Sequence, residues 1–199
     1  KTELVTFLPM ENISVDGKIM VKDKRMLRDV EQGFTYFKRG DVVIAKITPC
    51  FENGKGAYLS ELDTEYGFGT TELIVLRSTK NIDGEFLYWI TKSSNFRVLG
   101  EQFMVGAAGQ KRVTSSFVKS FPIGLPLIYE QASIVSFIKS KMKEIIDYTV
   151  MTEKEIELIQ EYRTRLISDT VTGKIDVRDI KIDEFISEIE IEDDIIDSE

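Results

Sequence analysis

The segment from about Pro126 to Gly173 constrains the fold most, because its pattern predicts one helix several times longer than average. Pro122 and Pro126 prevent a helix upstream, since proline fixes φ, lacks a backbone N–H and disfavours helical backbone in the preceding residue. Gly173 supplies a stop signal, because glycine commonly follows the last helical residue. Roughly 40 residues at about 1.5 Å each would span about 60 Å. We therefore expect a helix that projects from a small domain.

One face of this helix carries a narrow apolar stripe. The spacing of three and four residues is typical of a coiled-coil seam, although Thr149, Thr152 and Arg163 place polar groups in it. The pattern predicts a spacer or dimerisation helix, and the alternative is a helix that packs back on its own domain. The predicted helix-pairing residues are Ile134, Ile138, Met142, Ile145, Ile156, Ile159 and Leu166.

The formal net charge of −8 is concentrated at the C-terminal end of the chain. Residues 183–199 carry nine acidic side chains and no basic one, so the other residues have a net charge of +1. Residues 1–128 contain 17 Lys and Arg against 15 Asp and Glu. The acidity is therefore a property of the tail, and it neither requires nor excludes a DNA-facing surface on the body.

Several chemical classes are disfavoured by the composition. No apolar run of about 18 residues occurs, so we expect no membrane span, and we expect no secretory leader. Cys50 is the only cysteine, which excludes an internal disulfide and fits the reducing cytoplasm. The absence of histidine removes the usual general base and the commonest metal ligand. Carboxylate and lysine pairs such as Asp16 with Lys18 fit a solvated surface better than a nuclease metal site. We expect a non-catalytic protein without a cofactor or metal.

Short strands and helices are predicted ahead of the long helix. Residues 42–47 and 72–77 are β-branched runs typical of central strands, and residues 48–56 form the loop of a hairpin. Short helices are predicted to begin at Asn81 or Asp83 and at Thr114 or Ser115, whose side chains can cap free N–H groups. A further strand is expected at residues 121–125. Residues 1 to about 125 are thus predicted to form a mixed α+β globular part.

Two loops have chemistry suited to a polyanion. Asn53 and Lys55 alternate with glycines, which let backbone N–H groups approach phosphate while the side chains read base edges. The small residues 106–109 precede Gln110, Lys111 and Arg112, which offer two cations for phosphate and an amide that can pair with adenine. Each loop alone also fits an ordinary surface turn. Together they favour DNA binding.

Five phrases match a known family in the expected order. They cover residues 40–55, 69–77, 109–113, 123–131 and 166–177. The most specific phrases are Leu-Pro-x-x-x-Glu-Gln at the start of the long helix and Val-Thr-Gly-Lys at its end. On these phrases the chain resembles the specificity subunits of type I restriction-modification systems.

The resemblance implies an α+β fold in three parts. Residues 1–127 would be a target recognition domain with a curved β-sheet and short helices. Residues 128–172 would be the long, projecting, coiled-coil-like spacer helix, and residues 173–199 a short extended segment and an acidic tail. The tail after residue 179 matches no functional pattern of the family.

The resemblance also implies partners. In that family, each recognition domain binds one half of a bipartite site in double-stranded DNA, and paired helices set the gap between the halves. The helices also dock methyltransferase subunits and, through them, the restriction subunit. This chain contains one such half, so its helix would pair with a second recognition half or with a second copy of the chain.

The candidate DNA contacts follow from the loops and strand ends. Each candidate also has a structural alternative: Lys46 at a strand end, two threonines that only shape a turn, and Arg112 paired with a carboxylate. A protein-interaction scaffold or DNA mimic is the alternative function, although the near-neutral body argues against mimicry. Candidate base or groove contacts are Lys46, Asn53, Lys55, Thr70, Thr71 and Gln110, and candidate phosphate contacts are Lys111 and Arg112.

Overall fold

A computed structural model describes residues 3–20, 23–107 and 109–180. Contacts divide the chain into one compact unit of residues 1–140 and a second unit of residues 141–199. The acidic tail at residues 183–199 lies outside the described residues. Because the candidate DNA contacts all fall in the first unit, that unit carries the candidate site.

The first unit is built from short strands and helices. The strands are β1 (Leu4–Leu8), β2 (Asp23–Met26), β3 (Thr35–Lys38), β4 (Val42–Ala45), β5 (Gly56–Tyr58), β6 (Tyr66–Gly69), β7 (Leu73–Leu76), β8 (Met104–Val105) and β9 (Arg112–Val113). The helices are α1 (Leu27–Val30), α2 (Gly84–Lys92), α3 (Ser94–Gln102) and α4 (Ser115–Ser120), followed by α5 (Ile128–Val171). The predicted α+β class is confirmed.

The strands form two sheets and a hairpin. One sheet has the order β2-β1-β6-β3, in which β1 and β6 run parallel with Thr6 opposite Gly67. The second sheet has the order β5-β4-β7 and is antiparallel throughout. The small hairpin pairs β8 with β9.

The central strand β4 is buried on both faces. Val43 packs in a core cluster with Leu8 and Phe37, whereas Val42 and Ile44 pack with aromatic residues of a second cluster. All four residues of β4 are at most 4% exposed. A strand covered on both faces needs apolar residues at every position, which explains the continuous β-branched run.

The short helices begin where polar side chains cap them. The Asp83 carboxylate accepts the backbone N–H groups of Glu85 and Phe86 at 2.9 Å each, and Thr114 accepts that of Phe117 at 3.2 Å. These caps confirm two of the predicted helix starts. The expected strand at residues 121–125 was wrong, because those residues have no regular secondary structure. Phe121 instead packs its ring against Phe96, with 5.0 Å between the centroids.

Helix α5 has 44 residues, and its ends follow the predicted signals. It begins two residues after Pro126, and the Glu130 carboxylate accepts the Leu127 backbone N–H at 2.8 Å. It ends two residues before Gly173, whose φ of +73° favours glycine. Residues 174–180 form turns and irregular chain. Within the described part of the chain, no helix is long and apolar enough to cross a membrane.

Candidate nucleic-acid interface

Three separately predicted segments meet at one edge of the β5-β4-β7 sheet. Strand β4 ends at Ala45, which lies opposite Leu73 at the start of β7. Ile44 lies opposite Gly56 at the start of β5. The loop between β4 and β5 and the turn before β7 therefore emerge side by side. We call residues 46–55, 70–72 and 110–112 the loop edge.

Backbone hydrogen bonds join the first segment to each of the other two. The Thr48 N–H donates to the Lys111 carbonyl at 2.9 Å, and the Val113 N–H donates to the Lys46 carbonyl at 2.8 Å. The Lys46 N–H in turn donates to the Glu72 carbonyl at 2.9 Å. Lys46 thus lies between the other two segments of the loop edge.

Arg112 has a carboxylate partner at the loop edge. Its Nε and Nη2 donate to the Glu72 carboxylate at 2.9 Å each, and Nη1 donates to the Gln110 carbonyl at 3.2 Å. The hydrogen bond from Arg112 lowers the pKa of Glu72, and the nearby Lys46 charge acts in the same direction. The hydrogen bond to Glu72 likewise raises the pKa of Arg112. The guanidinium predicted to contact phosphate is therefore already paired within the protein.

The loop between β4 and β5 presents Asn53 at its tip. Asn53 is exposed, and Lys55 is half-buried beside the end of β4. The Lys55 carbonyl accepts the Ala45 N–H at 2.9 Å, and its own N–H donates to the Cys50 carbonyl at 2.9 Å. Gly54 has a φ of +68°, a backbone conformation that other residues rarely adopt. The loop geometry is thus fixed by backbone bonds.

Two basic side chains from neighbouring helices hold the same loop. Lys92 Nζ donates to the Gly54 carbonyl at 2.7 Å, and Arg97 Nη1 donates to the Glu52 carbonyl at 3.0 Å. The sequence analysis missed both, since 38 and 45 residues separate them from their partners. A local sequence pattern cannot reveal contacts between residues so far apart in the chain.

The remaining candidates on the loop edge differ in exposure. Thr71, Gln110 and Lys111 are exposed, whereas the Thr70 hydroxyl oxygen is buried and has no hydrogen-bond partner among the described residues. The Thr70 carbonyl accepts the Leu73 N–H at 3.1 Å. Thr70 therefore shapes the turn, and Thr71 is the threonine that points to solvent.

Gln131 anchors the start of α5 to the first unit. It is fully buried, and its Oε1 accepts the Asp83 N–H at 2.8 Å. Its Nε2 donates to the carbonyls of Asn81 at 2.9 Å and Pro126 at 2.8 Å. The sequence analysis placed Gln131 in a characteristic phrase without assigning it a role.

Most of the predicted helix-pairing residues are exposed. Ile145 and Ile159 are more than half exposed, and Ile138 is half-buried beside Trp89 and Phe121. An apolar stripe of this kind is available to a partner, but pairing stays a prediction. The other exposed members are Ile134, Met142, Ile156 and Leu166.

Comparisons with known proteins agree on one family. The family model described as the type I restriction modification DNA specificity domain matches residues 28–158. The EcoAI and EcoEI specificity subunits of Escherichia coli are 45% and 41% identical to the chain over 134 residues. Each of those alignments covers 66% of this chain. The chain spans 23% and 22% of the length of these curated relatives.

Solved structures show the same fold. The HsdS subunit from Thermoanaerobacter tengcongensis matches with a TM-score of 0.67 at 17% identity. A chain solved in work on complex assembly and conformational transition of the type I R-M system matches with a TM-score of 0.66 at 20% identity. Each match covers 90% of this chain and 45% of the solved chain. The chain therefore belongs to the type I restriction modification DNA specificity domain family.

Proposed function

We propose that this chain is a non-catalytic module that binds one half of a bipartite DNA target through its loop edge. The observation that carries the proposal is the convergence of residues 46–55, 70–72 and 110–112 at one end of a buried sheet. Polar and basic side chains held on such a frame can approach base edges and phosphates together. The family membership supports DNA as the ligand.

The exposed and half-buried side chains of the loop edge divide by chemistry. Asn53 and Gln110 carry amides that can pair with adenine, and Lys55 can donate to guanine. Lys111 is a compact cation that can contact phosphate. The Glu72 carboxylate holds Arg112, so we expect Arg112 to orient the edge as well as to offer its remaining N–H groups. Lys111 therefore keeps its predicted role as a phosphate contact, whereas Arg112 gains a role in orienting the loop edge.

The phosphate contact can be tested by replacing Lys111 with alanine. Binding to all duplexes should weaken, and the slope of log K against log salt should become less steep by about 0.9, the contribution of one phosphate contact. The binding titration uses the chain with methyltransferase subunits of its own system. Lys80→Ala is the control, because Lys80 is an exposed lysine outside the loop edge. An unchanged slope for Lys111→Ala would remove this assignment.

The base contacts need a different readout. Asn53→Ala and Lys55→Ala should change which sequences are selected from a randomised duplex library, with discrimination falling about tenfold at the affected position. Ser116→Ala is the control, because it replaces an exposed polar side chain on α4, outside the loop edge. If Asn53→Ala and Lys55→Ala select the wild-type site with unchanged discrimination, neither residue reads bases.

We further propose that α5 pairs with the helix of a second recognition half or of a second copy. The exposed apolar stripe supports this, because such a stripe is stabilised by burial against another helix. Ile156→Asp should lower the dimer fraction measured by light scattering. Leu158→Asp is the matched control, since Leu158 is similarly exposed but lies about 200° around the helix. Equal effects of the two changes would contradict a seam through Ile156.

The paired helices would set the spacing between half-sites and dock methyltransferase subunits, which in turn bind the restriction subunit. Deleting residues 149–155 removes one heptad and keeps the seam in phase. The helix shortens by about 10 Å, which corresponds to about three base pairs. The preferred gap between half-sites should decrease by that amount while each half-site stays the same. An unchanged gap would rule out α5 as the spacer.

A further inference from the structure

A second turn lies against the loop that carries Asn53. The Lys92 ammonium group donates to the Gly54 carbonyl at 2.7 Å and also to the Val15 carbonyl. One side chain on α2 therefore joins two loops that are 39 residues apart in sequence. Because each bond goes to a backbone carbonyl, the contact fixes the loops themselves and not only their side chains.

The turn at residues 14–18 has a defined geometry of its own. The Ser14 N–H donates to the Lys18 carbonyl at 2.9 Å, and the Lys18 N–H donates to the Ser14 hydroxyl at 2.8 Å. Gly17 has a φ of +88°, and a Cβ built on it would lie 3.3 Å from the Gly56 carbonyl. The turn is thus closed by its own hydrogen bonds, and its backbone runs close to the first residue of β5.

Tyr88 provides a second link from α2. Its hydroxyl donates to the Asp16 carbonyl at 3.3 Å. Burial raises the pKa of Tyr88 to about 12, so the hydroxyl keeps its proton at neutral pH. Burial also lowers the pKa of Lys92, because desolvation disfavours the charged ammonium group. Together, Lys92 and Tyr88 hold the turn beside the Asn53 loop.

The side chains of Val15, Asp16 and Lys18 in this turn are exposed, and the Lys18 ammonium group lies 3.4 Å from the Asp16 carboxylate. Val15 is 52% exposed and the Lys18 side chain is 79% exposed. A valine can pack against the methyl group of thymine, and a lysine can contact phosphate. Lys92 differs from Lys18, because carbonyls already occupy two of the three donors of its ammonium group.

We propose that the turn at residues 14–18 belongs to the DNA-binding surface and that Lys92 is a positioning residue that holds it beside the Asn53 loop. The inference rests on the proposed function, in which the Asn53 loop reads bases. Val15 and Lys18 are the DNA-contacting members of the turn. Lys92 affects sequence preference through the two loops and has no contact with DNA.

The test compares sequence preference with salt dependence for Lys92→Met in the chain with its methyltransferase subunits. Sequence discrimination should fall about tenfold, as expected for the loss of a base contact, and the affected positions should include those changed by Asn53→Ala. The slope of log K against log salt should stay that of the wild type, since Lys92 contacts no phosphate. Lys18→Ala should instead make the slope less steep by about 0.9 and leave discrimination unchanged.

Two further variants complete the test. Tyr88→Phe removes only the hydroxyl link to the turn, so it gives a readout if Lys92→Met does not fold. Lys80→Met is the control, and it should leave sequence discrimination at the wild-type level. A smaller salt slope for Lys92→Met would make Lys92 a phosphate contact and overturn its positioning role.

The outcome also separates this inference from the proposed function. If Asn53→Ala changes the preference while Lys92→Met, Tyr88→Phe and Val15→Ala do not, and Lys18→Ala leaves the salt slope unchanged, the turn is outside the DNA-binding surface and the proposed function stands. If Asn53→Ala itself leaves the sequence preference unchanged, the Asn53 loop does not read bases. The present inference, which depends on that reading, is then refuted too.

Discussion

Replacing the buried Gln131 with leucine should destabilise the first unit strongly. Leucine fills a similar volume but cannot make the three hydrogen bonds of the glutamine amide, which are 2.8, 2.9 and 2.8 Å long. Each lost bond costs about 1 kcal/mol, so the free energy of unfolding should decrease by about 3 kcal/mol. The carbonyls of Asn81 and Pro126 then lose their donor, and the N–H of Asp83 loses its acceptor.

Urea denaturation followed by tryptophan fluorescence measures this loss directly. Trp89 is the only tryptophan of the chain and lies in α2, so its signal reports on the first unit. With a slope of about 2 kcal/mol per molar urea, the midpoint should fall by about 1.5 M. Gln160→Leu is the matched control, because Gln160 is exposed on the same helix. Its midpoint should stay close to that of the wild type.

A midpoint for Gln131→Leu within about 0.3 M of the wild type would refute this reasoning. It would mean that water or rearranged backbone satisfies the three groups as well as the amide does. A similar decrease for Gln160→Leu would instead assign the effect to the helix surface and not to the buried amide.

Three other changes probe the loop edge and the two sheets of the first unit. Hydrogen bonding lowers the pKa of Glu72, so its contribution to stability is present above pH 4.5 and is lost at lower pH. The difference in unfolding free energy between wild type and Glu72→Gln should therefore shrink between about pH 6 and about pH 3, and a constant difference would contradict it. Arg77→Met removes the partner of Asp41, which is 2% exposed, and should cost about 2 kcal/mol by urea denaturation. Gly67→Ala would place a Cβ 2.4 Å from a backbone carbonyl of the neighbouring strand and should cost about 3 kcal/mol, whereas Gly124→Ala, with open space around it, should be close to neutral by the same assay.

The most local patterns predicted the fold best. Strand β4 needs apolar residues at every position because both its faces are buried. This requirement is visible in the sequence as an unbroken apolar run. Helix α5 has prolines before it and a glycine after it, so its ends differ from the predicted 128 and 172 by at most one residue. The expected strand at residues 121–125 failed because Pro122 has no N–H to donate to a neighbouring strand, and Phe121 packs against other aromatic rings instead.

The candidate site was predictable only in part, because its geometry depends on partners distant in sequence. The loops were recognised from glycines and cations, but their meeting point follows from the register of β4 with β5 and β7. The pairing of Arg112 with Glu72 joins residues 40 positions apart. A charge pattern alone could not distinguish an arginine free for phosphate from one already paired.

The parallel pairing of β1 with β6 has a consequence for how the chain folds. Thr6 and Gly67 are direct neighbours in the sheet although 61 residues separate them in sequence. During synthesis β1 emerges first, yet its β6 partner is complete only when Gly69 has left the ribosome. Closing so long a loop before any pairing energy is gained slows folding. Until then, one edge of β1 is without its native partner, so the first sheet cannot be complete before residue 69 has been synthesised.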